Sequence, residues 1–200
     1  MTSYRTTKII PIALALIAIA IAIAGLASLA RVIFLPANGE PKISKADISK
    51  EALLSTDADH ALVVTVRGPL VNDESFRSYK IKITATSREI TTYSGYFDQQ
   101  IDKISLSNNT KAYEQFVYSL YKANLIKGTE LTGDRNDIRG TCATGKIYNF
   151  QVIAAEDIKG QLWTSTCPGS KGSLNANVDQ LITLFTTQVP GSKTLIGKLW

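Results

Sequence analysis

Apolar residues form one unbroken run near the N-terminus of the chain. From Ile9 to Ala30 there are 22 consecutive uncharged residues, most of them Ile, Ala and Leu. As a helix this run spans about 33 Å, which is enough to cross the roughly 30 Å hydrocarbon core of a bilayer. Val32 to Leu35 extend the apolar character, so the pattern predicts a transmembrane signal anchor over residues 9–35.

A signal peptide that is cleaved after Ala30 is the alternative. Ser28 and Ala30 are small residues at the two positions that a signal peptidase reads. The apolar run is nevertheless longer than the usual apolar core of a signal peptide, which has about 7–15 residues. An uncleaved anchor is therefore favoured, and both interpretations export the rest of the chain.

The sequence predicts four parts along the chain. They are a short cytoplasmic tail (residues 1–8), the anchor (residues 9–35), a polar stalk (residues 36–60) and an extracytoplasmic domain (residues 61–200). Within the stalk, a capping-box pattern from Ser44 to Asp47 indicates a short helix that ends at Leu54.

In the domain, apolar and polar residues alternate with a period of two, which is typical of half-buried antiparallel strands. Leu62, Val64 and Val66 share one face of the first predicted strand, and Ile81 and Ile83 share one face of the second. The other predicted strands cover residues 89–97, 101–106, 141–153 and 160–166, and the predicted turns cover residues 87–88 and 156–160.

Two segments change to the spacing of an amphipathic helix. The first has its apolar residues near one face: Tyr113, Phe116, Val117 and Leu120. Asn108 or Asn109 is its predicted N-cap, and Gly128 its predicted end. The second has the same arrangement: Val178, Leu181, Ile182 and Phe185. Asn177 caps it, and the Pro-Gly pair at residues 190–191 ends it. Together the elements predict an α+β domain, with two amphipathic helices packed on one face of an antiparallel sheet.

The chain has two cysteines, Cys142 and Cys167, and both follow the export segment. They lie at the outer ends of one predicted hairpin, so a disulfide between them is predicted. A redox pair is disfavoured because such pairs usually have Cys-x-x-Cys spacing. The disulfide also decides the predicted orientation, since it requires an oxidising compartment outside the cytoplasm.

The net charge of +5 does not indicate nucleic-acid binding. Arg5, Lys8 and Arg31 flank the apolar run, and without them 19 basic residues stand against 17 acidic ones. The domain also has no dense cluster of Lys and Arg. The positive charge therefore belongs partly to membrane topology, and no nucleic-acid partner is predicted.

Two motifs resemble catalytic or metal-binding sites, but each has a simpler interpretation. His60, beside Asp57 and Asp59, is the only histidine and lies in a polar linker, outside the predicted core. Ser119 and Lys122 match the Ser-x-x-Lys pattern of penicillin-binding enzymes. Ser119 lies late in its helix, however, and the Lys-Thr-Gly motif of that family is missing.

Oxygen-bearing side chains also gather in one loop: Glu130, Asp134, Asn136 and Asp137. They allow a calcium site, but their spacing misses the EF-hand pattern, and turn chemistry explains the same residues. No catalytic residue, metal site or cofactor is therefore predicted.

Tyrosines give the best indication of a contact surface, because each combines a large apolar ring with a polar hydroxyl. Tyr93 and Tyr96 lie on one predicted strand, and Tyr118 and Tyr121 fall toward the flanks of the first helix. These four residues are the predicted contact surface.

These features favour a non-catalytic binding or scaffolding module of the cell envelope, held in the cell membrane by a single helix. Residues 9–35 would contact the lipid bilayer, and the expected partner is an envelope protein or a wall polymer. The alternative is a hydrolase or wall-modifying enzyme with an unidentified carboxylate pair. A third interpretation, a secreted inhibitor, requires cleavage after Ala30. A flat aromatic patch would favour binding, and a convergent carboxylate pair in a deep cleft would favour the enzyme.

Overall fold

The computed structural model describes residues 45–129, 131 and 133–200. The predicted tail, the predicted anchor and the first part of the predicted stalk lie outside these residues. Within the described part of the chain, no helix has both the length and the apolar character needed to cross a membrane.

Six strands form one antiparallel sheet, and the first strand lies in its middle. The strand order is β4-β3-β2-β1-β5-β6. The strands are β1 His60–Arg67, β2 Arg77–Thr84, β3 Ser87–Ser94, β4 Gln99–Ser107, β5 Ile147–Ala154 and β6 Asp157–Ser165. Strand β1 pairs with β2 on one side and β5 on the other, so Val64 lies between Ile81 and Phe150.

One face of the sheet carries the main core, and helices pack on it. The described helices are α1 Lys45–Leu54, α2 Thr110–Lys122, α3 Val178–Gln188 and α4 Ser192–Gly197. The strands contribute the alternating apolar residues Leu62, Val64, Val66, Ile81, Ile83, Ile90, Phe150 and Val152. The helices contribute Leu53, Tyr113, Phe116, Leu120, Leu181 and Phe185. The predicted α+β class, with both amphipathic helices on one sheet face, is confirmed.

Helix α1 lies within residues 36–60, which the sequence pattern assigns to a polar stalk. Its Leu53 is fully buried in the main core, and α1 contacts α2, β5 and β6. A capping pattern shows that a helix forms but not what the helix packs against. In the structure this helix is part of the folded domain.

Both predicted hairpin turns were misplaced. The turn between β2 and β3 consists of Ala85 and Thr86, two residues before the predicted position. It is fixed by the Thr84 hydroxyl, which accepts a hydrogen bond from the Ser87 N–H at 2.8 Å. The turn between β5 and β6 consists of residues 155–156, both with positive φ. The predicted turn overlaps this one only at Glu156, because Ala and Glu rarely adopt that conformation and do not signal a two-residue turn.

The prediction that Gly128 ends helix α2 was also wrong. The helix ends at Lys122, and Asn124 adopts the left-handed conformation that closes it, with φ of 62°. Gly128 instead forms a backbone bridge with Leu174, where a side chain would collide with the backbone of Ser173. The predicted caps at Asn109 and Asn177 are confirmed, since each side chain accepts a backbone N–H of its helix.

The opposite face of the sheet is polar at β2, but it is apolar where β1 contributes Ala61 and Val63 and where β5 and β6 carry a second cluster. Lys80 and Lys82 are exposed on this face. Ile147 of β5 and Trp163 of β6 form a second, small cluster with Cys142. The loop before β5 and the loop after β6 therefore cover one part of this face, whereas helices cover the other face.

Candidate functional site

The predicted disulfide between Cys142 and Cys167 is present, with the two Cα atoms 5.4 Å apart. It joins the loop before β5 to the end of β6. Gly145 lies against it, and a side chain at this position would meet Thr166 and both sulfur atoms. The strand predicted from residue 141 begins only at Ile147, because residues 141–146 form the loop that carries this bond.

Two loops at the same end of the sheet expose apolar side chains. The loop from β1 to β2 exposes Leu70 and Val71, and the turn from β3 to β4 exposes Tyr96 and Phe97. We call these four residues the apolar end. Phe97 is 95% exposed, which is unusual for a large apolar side chain. An apolar group of this kind on a folded domain is typical of an interaction surface.

Tyr96 joins the two loops of the apolar end. The Tyr96 hydroxyl donates to the carbonyl of Val71 at 2.6 Å and lies 3.2 Å from the Val71 N–H. The Tyr96 ring stacks on Phe76, with ring centroids 4.2 Å apart. The Tyr96 N–H donates to Asp73 at 2.6 Å. A pre-ordered surface of this kind loses little conformational entropy when it binds.

Charged residues of both signs surround the apolar end. Arg67 lies 3.7 Å from Asp98 and 4.9 Å from the centre of the Phe76 ring. Arg77 adds a second positive charge, and Asp73 and Glu74 add negative charges. The region is therefore not strongly basic. A strongly basic region is what attracts proteins to anionic lipid.

The structure does not bring the four predicted contact tyrosines together. Tyr96 belongs to the apolar end, and Tyr93 is half-buried on the polar sheet face, 5.9 Å from the Lys80 ammonium. Tyr118 and Tyr121 lie on α2. Tyr118 is exposed, whereas Tyr121 packs against the main core.

Sequence reasoning missed Leu70, Val71 and Phe97. The first two are single apolar residues in a polar loop, and Phe97 was assigned to a strand. The signal that could have identified Phe97 is the turn-forming pattern around it, which begins at Gly95 and ends at Asp98. An aromatic residue at the tip of a turn has no sheet face on which to be buried.

A second feature is a cavity of about 660 Å³ beside the second cluster. Its walls come from the loops that the disulfide joins, and we call it the Trp163 pocket. It is lined by Leu131, Asp134, Asp137, Thr141, Trp163, Gly169, Ser170, Lys171 and Gly172.

The Asp137 carboxylate in this pocket is already occupied. Arg139 donates to both of its oxygens at 2.5–2.9 Å, and this pairing lowers the pKa of Asp137 to about 2. A carboxyl group with so low a pKa is ionised at neutral pH and makes a poor general acid. The calcium alternative also loses a ligand, because Arg139 holds the carboxylate that a cation would need.

His60 lies beside Ser55, Asp57 and Asp59, but this arrangement is not a catalytic triad. The His60 Nδ1 atom is 3.2 Å from the Ser55 hydroxyl and 3.1 Å from the Asp59 carboxylate. A triad uses one ring nitrogen for the serine and the other for the carboxylate. The described residues contain one set of three possible metal-ligating side chains that are close enough to share an ion. The set consists of Asp57, Asp59 and His60. Hydrogen bonds explain the cluster without a metal ion, since His60 bonds to Asp59 and the Asp57 carboxylate accepts from the Ser55 hydroxyl at 2.9 Å.

The Ser119 hydroxyl donates to the backbone carbonyl of Gln115 at 2.7 Å. This is the usual contact of a serine inside a helix, and it directs the hydroxyl toward its own backbone. Among the described residues, no basic side chain forms a hydrogen bond with the Ser119 hydroxyl.

No known protein-family model matches the chain, and no curated protein matches it.

Proposed function

We propose that this protein is a membrane-anchored, non-catalytic binding module of the cell envelope that docks another envelope protein through its apolar end. The observation that carries the proposal is the exposed, hydrogen-bonded group formed by Leu70, Val71, Tyr96 and Phe97. Aromatic residues held in a fixed position supply large contact area at low entropic cost, as they do at the centres of protein interfaces.

A protein partner fits this surface better than a lipid surface does. Phe97 projects from a turn, and the charges near it have both signs, with Arg67 and Arg77 balanced by Asp73, Glu74 and Asp98. Mixed charges form a polar rim that can match a protein of complementary pattern. An anionic membrane would instead favour an excess of Lys and Arg.

The anchoring part of the proposal depends on the sequence and on the disulfide. Residues 9–30 supply an uncharged segment of spanning length, and a disulfide is typical of a domain outside the cytoplasm. The protein should resist alkaline carbonate extraction and keep its N-terminus. A soluble product that begins at Arg31 would contradict the anchor and support the secreted alternative.

The hydrolase alternative would find its carboxylate pair in Asp134 and Asp137, which line the same pocket. The Arg139 contact works against it, because Arg139 donates to both oxygens of Asp137, so that this carboxylate is not free to attack a substrate or to activate water. The binding module is therefore the better-supported proposal.

Site-specific photocrosslinking in native membranes tests the docking surface. A photoreactive benzophenone amino acid replaces Phe97 in one variant and Tyr118 in a matched control. Tyr118 is also an exposed aromatic residue, at 58%, but it lies on α2 and outside the apolar end. We expect a discrete protein adduct with the Phe97 variant that is lost when Leu70→Ser is added, and none with the control.

Three results would refute the docking proposal. They are no adduct at position 97, equal adducts at both positions, and an adduct with lipid in place of protein. The last result would show that the apolar end contacts the bilayer.

A further inference from the structure

Three lysines lie together on the sheet face opposite the helices. Lys80 of β2 and Lys103 of β4 each pair directly with Thr91 of β3, so these side chains project from the same face. Lys82 lies two residues further along β2 and therefore shares this face. All three lysines are exposed to solvent. We call Lys80, Lys82 and Lys103 the lysine face.

The lysine face carries an excess of positive charge. Glu89 is the one carboxylate of the described residues that lies within salt-bridge distance of these lysines, at 3.2 Å from Lys103. The Ser105 hydroxyl donates to Glu89 at 2.7 Å, and this hydrogen bond, followed by the contact with Lys103, lowers the pKa of Glu89. The carboxylate is therefore ionised at neutral pH, and three positive charges stand against one negative charge.

The residues beside the lysine face do not cancel this excess. Arg67, which pairs with Ser78 of β2, lies 3.7 Å from Asp98, so these two neighbouring charges balance each other. The Lys80 ammonium lies 5.9 Å from the centre of the Tyr93 ring, which is half-buried on the same face. The open sheet thus presents a net positive charge with an aromatic ring beside it.

The spacing of the three lysines favours an extended ligand. Neighbouring strands lie about 4.8 Å apart, so Lys80 and Lys103, two strands apart, are separated by about 10 Å at their backbones. Lys80 and Lys82 are separated by about 7 Å along β2. A ligand with one negative charge meets one ammonium group, whereas a polymer with repeated charges meets several at once. Each further contact is then intramolecular, which strengthens the overall binding.

We propose that the lysine face binds an acidic polysaccharide, with the carboxylates of successive sugars at the ammonium groups and a sugar ring against Tyr93. Thr65, which pairs with Lys80, adds a hydroxyl group that suits the hydroxyls of a sugar. Nucleic acids and anionic membranes carry a higher charge density and are bound by denser clusters, of about 4–8 Lys and Arg for a membrane. The inference goes beyond the proposed docking function and does not depend on it, because the lysine face and the apolar end share no residue.

Fluorescence anisotropy tests the proposal with the full chain in micelles of a non-ionic detergent. The probe is a fluorescently labelled oligomer of galacturonic acid, which carries one carboxylate per sugar. The matched ligand is the same oligomer with its carboxylates converted to methyl esters. We expect the acid to bind saturably and the ester not to bind. The affinity for the acid should fall as salt is added, because salt screens exposed charges.

Three variants assign the binding to the lysine face. Lys80→Gln combined with Lys82→Gln should weaken binding about 3- to 10-fold, since each exposed ion pair contributes little alone. Lys111→Gln combined with Lys122→Gln removes the same charge from exposed positions of α2 and should leave binding unchanged. Glu89→Gln removes the negative charge from the lysine face and should tighten binding about 2- to 3-fold. A gain in affinity is not expected from a variant that merely damages the fold.

Four results would overturn the proposal. The first is no binding of the acid at low salt, and the second is equal binding of the ester. The third is an equal loss of affinity in the two double-lysine variants. The fourth is tighter binding of anionic lipid vesicles or single-stranded DNA than of the acid, because the lysine face would then serve a membrane or a nucleic acid. None of these results bears on the apolar end, which the crosslinking variants test separately.

Discussion

Phe185→Ala tests whether α3 packs on the sheet as the main core requires. Phe185 is fully buried between the helices and the sheet. Its ring meets Phe116 of α2 edge-to-face, with centroids 5.2 Å apart, and lies 6.0 Å from Phe150 of β5. One side chain thus joins three elements, and its removal leaves a cavity where they meet.

The expected loss follows from these contacts. Truncating a buried Phe to Ala costs about 3–5 kcal/mol, including the cavity. The edge-to-face contact with Phe116 adds about 0.5–1.5 kcal/mol beyond buried area, which places the expected value in the upper half of that range. A domain of this size is stable by about 5–15 kcal/mol, so the variant should fold with much reduced stability.

Urea unfolding of the disulfide-bonded protein measures this loss. Tyr118→Ala is the control, since it truncates an exposed aromatic residue of α2 and should change stability by no more than about 0.5 kcal/mol. A loss below about 1 kcal/mol for Phe185→Ala would mean that α3 does not pack on the sheet as described. Equal losses for the two variants would have the same meaning.

Three further predictions concern covalent and acid–base chemistry. Mass mapping without reduction should link Cys142 to Cys167. Replacing both by Ser should lower the free energy of unfolding by about 3 kcal/mol, because the bond closes a loop of roughly 25 residues. Two free thiols in protein from its native compartment would contradict this prediction. The Asp137 carboxyl should titrate with a pKa of about 2, and Arg139→Gln should return it to the ordinary range of a free carboxyl group. Because the pKa of Asp137 is lower in the folded protein than in the unfolded chain, any folding stability from its pairing with Arg139 is present above the unfolded pKa. That stability is lost as the pH falls toward 2. NMR titration of the Asp137 carboxyl measures the pKa shift. Fluorophosphonate and labelled penicillin should leave Ser119 unmodified, and stoichiometric labelling would favour the hydrolase alternative.

The sequence predicts the elements better than it predicts their arrangement. Alternation at Leu62 and Ile81 identifies the strands, because burial of one sheet face imposes a period of two. The central position of β1 leaves no such trace, since its pairing with β5 joins residues far apart in the chain. Helix ends depend on local backbone conformation. Asn124 ends α2, although Gly128 carries the stronger sequence signal for a helix end.

The candidate site was less predictable than the fold. Tyr96 was identified because it is a tyrosine, but the hydrogen bonds to Val71 that fix it depend on how two distant loops meet. Among the described residues, the buried atoms Trp163 Nε1 and Asn149 Oδ1 have no hydrogen-bond partner; their placement depends on strand register, which neither residue type signals. The disulfide was predictable because only one pairing of two cysteines exists.

The central position of β1 also determines the order in which the sheet assembles during synthesis. Strands β1 to β4 form a local meander that can pair as soon as it is made, whereas the second partner of β1 comes much later, with Phe150 opposite Val64. Until β5 arrives, the apolar segment from Ala61 to Val64 has an unpaired edge, which is a template for aggregation. The newly made chain therefore passes through a stage in which its most apolar strand is open on one side. A chain that stops before β5 would keep that edge, so we expect the first four strands to aggregate when they are made alone.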